Sequence, residues 1–345
     1  MPTTLLIASY LEPDLVDRIR QVDDRVEVLY APDLLPRPRY PADHNGHPLV
    51  RTAEQEQAWL ELLARADVMF DFDRSHGPDL PVVAPRVRWV QATSSGIGEY
   101  IARMGYATSM PQTVFTTARG VHAQPLAEFC VMAMLAFHKK LFASMEAQRA
   151  RHWERFAGTD LRGRTIVIVG IGRVGTEIAR LARAFGMRVV GVKRSVEGVT
   201  PADLHLDALY APADLHDALR QAEHLVLIAP HTADTKGMMG AAELALLPEG
   251  SIFINIARGA LVDEAALVEA LRSGRLAGAA LDVFAREPLS PESPLWGLDN
   301  VIISPHSAST SDRENARITD LFCANLRKFL DGVPLENRFD PSLGF

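Results

Sequence analysis

The chain has 345 residues, enough for about two domains with well-filled cores. Its 48% hydrophobic content indicates a soluble globular protein, and its net charge of −7 speaks against a general nucleic-acid or anionic-membrane surface. Only Cys130 and Cys323 are present, which speaks against a disulfide framework or a cysteine metal cluster and fits a reducing cytoplasm.

The chain opens as a strand, Met-Pro-Thr-Thr-Leu-Leu-Ile, without the basic and long apolar segments of a signal peptide. Strands are expected at 5–9, 26–30, 68–70 and 88–92, an amphipathic helix at 52–66, and a proline-rich surface loop at 32–48. After the fourth strand comes Ser94-Ser95-Gly96-Ile97-Gly98, read equally well as an ordinary turn or as backbone N–H groups that hold a carboxylate. Residues 126–137 are nearly continuously apolar, too few to span a bilayer, so they predict a helix buried in a core or against a second subunit. Cys130 lies within it as a core thiol.

A short β-branched run, 165–169, ends in Gly170-Ile-Gly172-Arg173-Val174-Gly175, and Val174, Ile178, Leu181 and Phe185 then mark one helix face that Gly186 closes. Strand, glycine turn and helix together predict a dinucleotide site: Gly170 permits the turn, Gly172 admits the phosphates, and Gly175 lets helix pack on strand. Further strands are expected at 188–192, 224–228, 251–256, 276–281 and 301–303, six in all, with Asp263 capping a helix that Gly274 ends. The second strand runs into Lys193-Arg194-Ser195, where an NAD-selective site would place an acid, so a 2′-phosphate and hence NADP is predicted, with NAD as the lesser possibility.

Three reactive residues follow strands of this region: Arg258 in Asn-Ile-Ala-Arg-Gly, Glu287 in Asp-Val-Phe-Ala-Arg-Glu-Pro, and His306 in Ser-Pro-His-Ser-Ala. Carboxyl ends of parallel strands are where ligands bind, so the three can converge. Singly each reads as a surface or turn residue. Jointly they offer a planar cation for a carboxylate, a proton donor active near neutrality, and a partner acid that orients it.

With these motifs, and with Pro230-His-Thr-Ala-Asp-Thr235, the chain resembles the D-isomer-specific 2-hydroxyacid dehydrogenases, the family of glyoxylate/hydroxypyruvate reductases, D-lactate dehydrogenases and phosphoglycerate dehydrogenases. The resemblance implies reduction of a small 2-keto acid. Arg258 would bind the substrate, His306 would be the acid/base, Glu287 its partner, Asp282 the acid on the nicotinamide carboxamide, and Ser95 and Gly96 the carboxylate loop. Pro230, Thr235 and Ala257 join Gly170, Gly172, Arg173, Val174, Gly175, Lys193, Arg194 and Ser195 as cofactor-contacting positions. It also implies an α/β fold, a Rossmann doubly wound parallel sheet at 111–306 inserted in a flavodoxin-like α/β substrate domain at 1–110 and 307–345, the active site in the cleft between them, closure during turnover, and a homodimer. No metal, nucleic acid or membrane is expected, and no regulatory domain. Gly98 stands where many relatives have an acid, and His122 reads as a structural or solvent-facing histidine, so the particular keto acid stays open. The rival reading is a non-catalytic NAD(P)-sensing dimeric protein.

Overall fold

Parallel strands leave the structure in two sets. The computed structural model describes residues 2–341 and divides into two units, one running through His122 and resuming at Thr310, the other spanning Ala123–Ser309.

The first unit holds β1 (Thr3–Ile7), β2 (Val26–Leu29), β3 (Val68–Phe70), β4 (Trp89–Gln91) and β5 (Val114–Thr116), all parallel in the order β2-β1-β3-β4-β5. That order is the flavodoxin-like one. The expected boundary after residue 110 falls instead after His122, because the three residues of β5 pair with β4; so short a run gives no readable period. The helix expected from 52 forms at Ala53–Arg65 under a capping box: the Thr52 hydroxyl accepts from Gln55 N–H at 3.2 Å and Gln55 Oε1 accepts from Thr52 N–H at 2.9 Å. The chain returns to this unit with the helix Glu314–Leu330, whose Ile318, Phe322 and Leu326 are buried, and Phe322 stacks on Trp89 with ring centroids 5.0 Å apart. The segment 32–48 is more than a surface loop: Leu35 and Asp43 are buried, and Asp43 gathers Arg39 and the N–H groups of Arg39, Asn45 and Gly46. An internal acid anchor of this kind leaves no hydrophobic pattern.

The second unit holds β6 (Thr165–Val169), β7 (Arg188–Val192), β8 (Ala208–Tyr210), β9 (His224–Leu227), β10 (Ser251–Asn255), β11 (Leu276–Leu281) and β12 (Val301–Ile303) in the order β12-β11-β10-β9-β6-β7-β8. This is a Rossmann sheet, whose order reverses between β6 and β9. Seven strands stand where six were expected; the half-buried three-residue β8 was unread for the same reason as β5. Alternation divides the core: Ile166, Ile168, Val226 and Ile254 face one layer, and Val167, Val169, Leu225, Leu227 and Phe253 the other. The apolar helix Ala123–His138 packs with Ala127, Cys130, Ala133 and Met134 against Ile178, Ala179 and Ala182 of the helix Arg173–Ala184. Small residues set that close contact, and the buried face of Arg173–Ala184 is Gly175, Ile178, Ala179 and Ala182. Phe185 is largely exposed beyond it, contrary to the expected face. Asp263 caps Glu264–Arg272 through Ala265 and Ala266 N–H, as its position foretold. Among the described residues no helix is long and apolar enough to cross a membrane.

At the amino end of this sheet two buried histidines meet. His138 ends the apolar helix, His224 begins β9, and their Nε2 atoms lie 2.8 Å apart, with Thr159 Oγ1 at 2.5 Å from His138 Nδ1. One ring must donate and the other accept, so the pair is neutral with a single shared proton. Burial first, and then the neighbouring His138, push His224 down to about 3; burial and then Arg164 lower His138 too. A histidine lowered on folding lends stability that is complete above its unfolded value near 6.5 and is lost as pH falls from there toward the folded value. We expect the unfolding free energy to drop by about 2 kcal/mol from His224 alone between pH 6.5 and 5, at ~1.4 kcal/mol per pH unit for one proton. Urea titrations should show this slope in the native protein and not in the His138→Gln/His224→Gln double variant; equal slopes would refute the assignment.

Candidate active site

The glycine turn after β6 is shaped by three different constraints. Gly170 has φ +112°, and a Cβ there would lie 2.7 Å from the Ile228 carbonyl and the Ala229 nitrogen, so the turn sits directly on the exit of β9. A Cβ on Gly175 would lie 2.3 Å from Gly170 O, which brings the helix back against the turn. At Gly172 a Cβ would meet nothing within 4 Å. Gly172 is also the N-cap of the helix Arg173–Ala184, and no side chain caps it, so the N–H groups of the first turn and the partial positive charge face open space. A dinucleotide pyrophosphate fits this place in shape and in charge.

The neighbouring loops add donors. Lys193, just past β7, turns its Nζ back to Ile171 O at 3.0 Å, while Arg194 and Ser195 are exposed. Beyond β9, Thr235 Oγ1 donates to Pro230 O at 2.7 Å and accepts from Thr232 N–H at 2.8 Å, which closes the loop carrying these two expected cofactor positions on itself.

Arg258, Glu287 and His306 leave β10, β11 and β12 at their carboxyl ends, all in the second unit. His306 Nδ1 lies 2.7 Å from Glu287 Oε2, and Glu287 Oε1 accepts from Phe284 N–H at 3.1 Å. With Nδ1 spent on the carboxylate, Nε2 is the nitrogen left to carry a proton to and from a ligand. His306 stands at φ +54°, a conformation that costs a non-glycine residue about 1–3 kcal/mol and must be held by its surroundings. Asp282 holds it. Its Oδ1 accepts from Ser304 Oγ at 2.6 Å, Ser307 N–H at 2.8 Å and Ala308 N–H at 2.9 Å, and its backbone carbonyl accepts from His306 N–H at 3.0 Å. Burial pushes the Asp282 carboxyl above its ordinary value, against these donors and the His306 charge.

Arg258 sits apart from the ion pair: its Nη1 donates to Ala257 O at 2.7 Å. Its loop is nonetheless fixed. Asn255 Oδ1 accepts from Ala257 N–H at 3.0 Å, and Gly259 packs so closely that a Cβ there would lie 1.9 Å from the Phe284 carbonyl carbon. Asn255, Gly259 and Ser304 are positioning residues that sequence reasoning missed, although Gly259 directly after Arg258 was a signal of close backbone approach. Ser95 and Gly96 are exposed in the first unit, on the loop from β4 to the helix Gly98–Met104. His122 pairs with Glu314 at 3.1 Å within that unit, a structural contact.

Residues 131–308 match the family described as D-isomer specific 2-hydroxyacid dehydrogenase, NAD binding domain. A glyoxylate reductase of Aeropyrum pernix is 35% identical over 268 residues, 74% of this chain and 76% of that one. A D-isomer specific 2-hydroxyacid dehydrogenase of Xanthobacter autotrophicus Py2, solved with NADPH and MES, has a TM-score of 0.78 at 26% identity and full coverage of both chains. An NADPH-dependent glyoxylate/hydroxypyruvate reductase of Sinorhizobium meliloti, solved with NADP and sulfate, has a TM-score of 0.75 at 25% identity, covering 99% of this chain and 100% of that one.

The backbone approach at Gly259 predicts that Gly259→Ala cannot be absorbed by a side-chain adjustment. The variant should lose about 3 kcal/mol or more of stability in urea titration, at or beyond the upper range for overpacking, since backbone must move. A loss below about 0.5 kcal/mol would show that the two loops are not locked together.

Proposed function

We propose, because the chain belongs to the D-isomer specific 2-hydroxyacid dehydrogenase family, that it reduces a small 2-keto acid to the D-2-hydroxy acid with NADPH in preference to NADH. The observation that carries this reading is the His306–Glu287 pair and a turn suited to a dinucleotide, which follow the carboxyl ends of strands in one parallel sheet. The bound reduced nicotinamide supplies the hydride. His306 Nε2 supplies the proton to the carbonyl oxygen, Glu287 stabilises the imidazolium before transfer and fixes the ring, and the Arg258 guanidinium binds the substrate carboxylate and polarises the carbonyl. Ser95 and Gly96 offer backbone N–H groups suited to a carboxylate. Asp282, with one oxygen committed to the His306 turn, orients the nicotinamide carboxamide.

The preference for NADPH rests on Lys193, Arg194 and Ser195, with no acid among them, and it agrees with the NADPH of the Xanthobacter and Sinorhizobium relatives. We further infer a homodimer: the exposed Met132, Leu141, Met145, Trp153 and Phe156 lie on the apolar helix and the segment after it, where a second copy would cover them. Two unpaired buried cysteines suit a cytoplasmic enzyme.

His306→Gln should leave NADPH binding, followed by fluorescence, within about threefold of native while turnover falls roughly 10²- to 10⁴-fold. Turnover near that of the native enzyme would remove His306 from the chemistry. For the cofactor, Lys193→Asp/Arg194→Ala should lower kcat/KM for NADPH by at least about 10- to 100-fold and move NADH little, since loss of even one charge-assisted bond to a phosphate removes about 1.5–3 kcal/mol. Equal use of both cofactors by the native enzyme would refute the preference.

A further inference from the structure

The segment that carries Glu287 is held by few hydrogen bonds. Residues 283–287 follow β11 without regular structure, and Ala285, Arg286 and Glu287 are exposed. Among the described residues only two backbone N–H groups of this segment have a partner, and one of them, Phe284 N–H, is spent on the Glu287 carboxylate itself at 3.1 Å. The other is Ala285 N–H, which donates to Glu264 Oε2 at 3.0 Å. No other hydrogen bond among the described residues ties the backbone of 283–287 to a different element.

Glu264 is mounted on a rigid stretch. It is the first residue of the helix Glu264–Arg272, and the residues before it are paired with the stretch 237–239: Ala260 O accepts from Gly237 N–H at 2.9 Å, Leu261 O from Met239 N–H at 3.0 Å, and Met239 O from Asp263 N–H at 2.9 Å. The helix does not need the Glu264 carboxylate as a cap, because Asp263 Oδ1 already accepts from Ala265 and Ala266 N–H. The rigid stretch begins with Arg258 and Gly259, and a Cβ on Gly259 would lie 1.9 Å from the Phe284 carbonyl carbon and 2.4 Å from Ala285 N. One peptide unit, Phe284–Ala285, is thus packed against Gly259 and bonded through its N–H to Glu264. Packing stops it from approaching; the hydrogen bond stops it from lifting away or turning, since such bonds weaken steeply as they bend.

We propose that Glu264 is a positioning residue of the reduction: through Ala285 N–H it holds the 284–287 segment so that Glu287 meets His306 Nδ1. The inference rests on the reductase reading above and adds to it a residue that acts only through another. A general acid works where its proton is needed, and a displacement of about an ångström caused far from the chemistry can cost about 100-fold in rate.

The test is steady-state reduction of glyoxylate, hydroxypyruvate and pyruvate by the full chain with NADPH. Glu264→Ala should lower kcat by about 10- to 100-fold on whichever of these the native enzyme reduces, with KM for the keto acid and the affinity for NADPH within about threefold of native. Glu264→Gln retains an oxygen that accepts from Ala285 N–H and should bring kcat back to within about threefold of native. Glu264→Asp keeps the charge at the helix start but is too short by one methylene, and it should resemble Glu264→Ala. In a Glu287→Ala background, Glu264→Ala should lower kcat by less than about twofold, since the group it positions is gone. A merely structural Glu264 would lower the melting temperature and leave kcat of the folded protein as it was. That result, a Gln variant as slow as the Ala variant, or a full second loss in the Glu287→Ala background overturns the proposal while the reductase reading survives on native turnover. No reduction of any of the three by the native enzyme overturns both. Should Glu264→Ala fail to fold, Glu264→Asp decides: slow turnover at native KM supports the role, and native turnover overturns it.

Discussion

The carboxylate of Asp282 is the contact on which the geometry around His306 depends. One oxygen gathers three donors from the segment 304–308, and the backbone carbonyl takes the His306 N–H, so a residue in a strained conformation is held from two sides. Only then does Nδ1 reach Glu287, and only then is Nε2 the outward nitrogen. The Arg258 loop is fixed against the segment that follows β11 by a different force, the steric closeness of Gly259 to Phe284. Hydrogen bonds set one side of the site and backbone packing the other, which is why neither half could be moved without the other losing its purpose.

The two ends of the sheet divide their tasks. Strand β9 begins at His224, in the dry histidine pair with His138, and ends just before Ile228 and Ala229, on which the Gly170 turn rests. Stability is vested at the amino end, where a neutral pair is closed off from water. Ligand recognition is at the carboxyl end, where N–H groups and glycines leave room. The same strand serves both, so the placement of the glycine turn inherits the order of the core beneath it.

Much of this was legible in the sequence, and the omissions have a common cause. Long β-branched runs, the glycine turn, the Asp263 cap and the Arg258, Glu287 and His306 segments announce themselves through period or through a demanding local geometry. The strands β5 and β8 are three residues each and have no period, so the sheet order alone reveals them. The helix face was misjudged at Phe185 because large apolar residues were counted and small ones were not; close packing at Gly175, Ala179 and Ala182 gives the buried stripe to small side chains. Asp43 was invisible for a related reason. Polar residues in apolar or proline-rich surroundings read as interruptions until the topology shows what lies beside them.

Asp282 and Glu287 show how environment, and not residue type, assigns roles to two acids five positions apart. Asp282 is 2% exposed; its charge is matched by fixed N–H and hydroxyl donors that cannot follow a proton, so it suits holding a turn still. Glu287 has a side chain about a third exposed and meets the imidazole of His306, a group able to change its own charge near neutrality. Were Glu287 as buried as Asp282, separating its charge from a neutral His306 would cost several kcal/mol each time the proton left. Partial exposure softens that penalty, because water can take up the charge while the ring is neutral, and it leaves a pair able to cycle between two protonation states with the geometry unchanged.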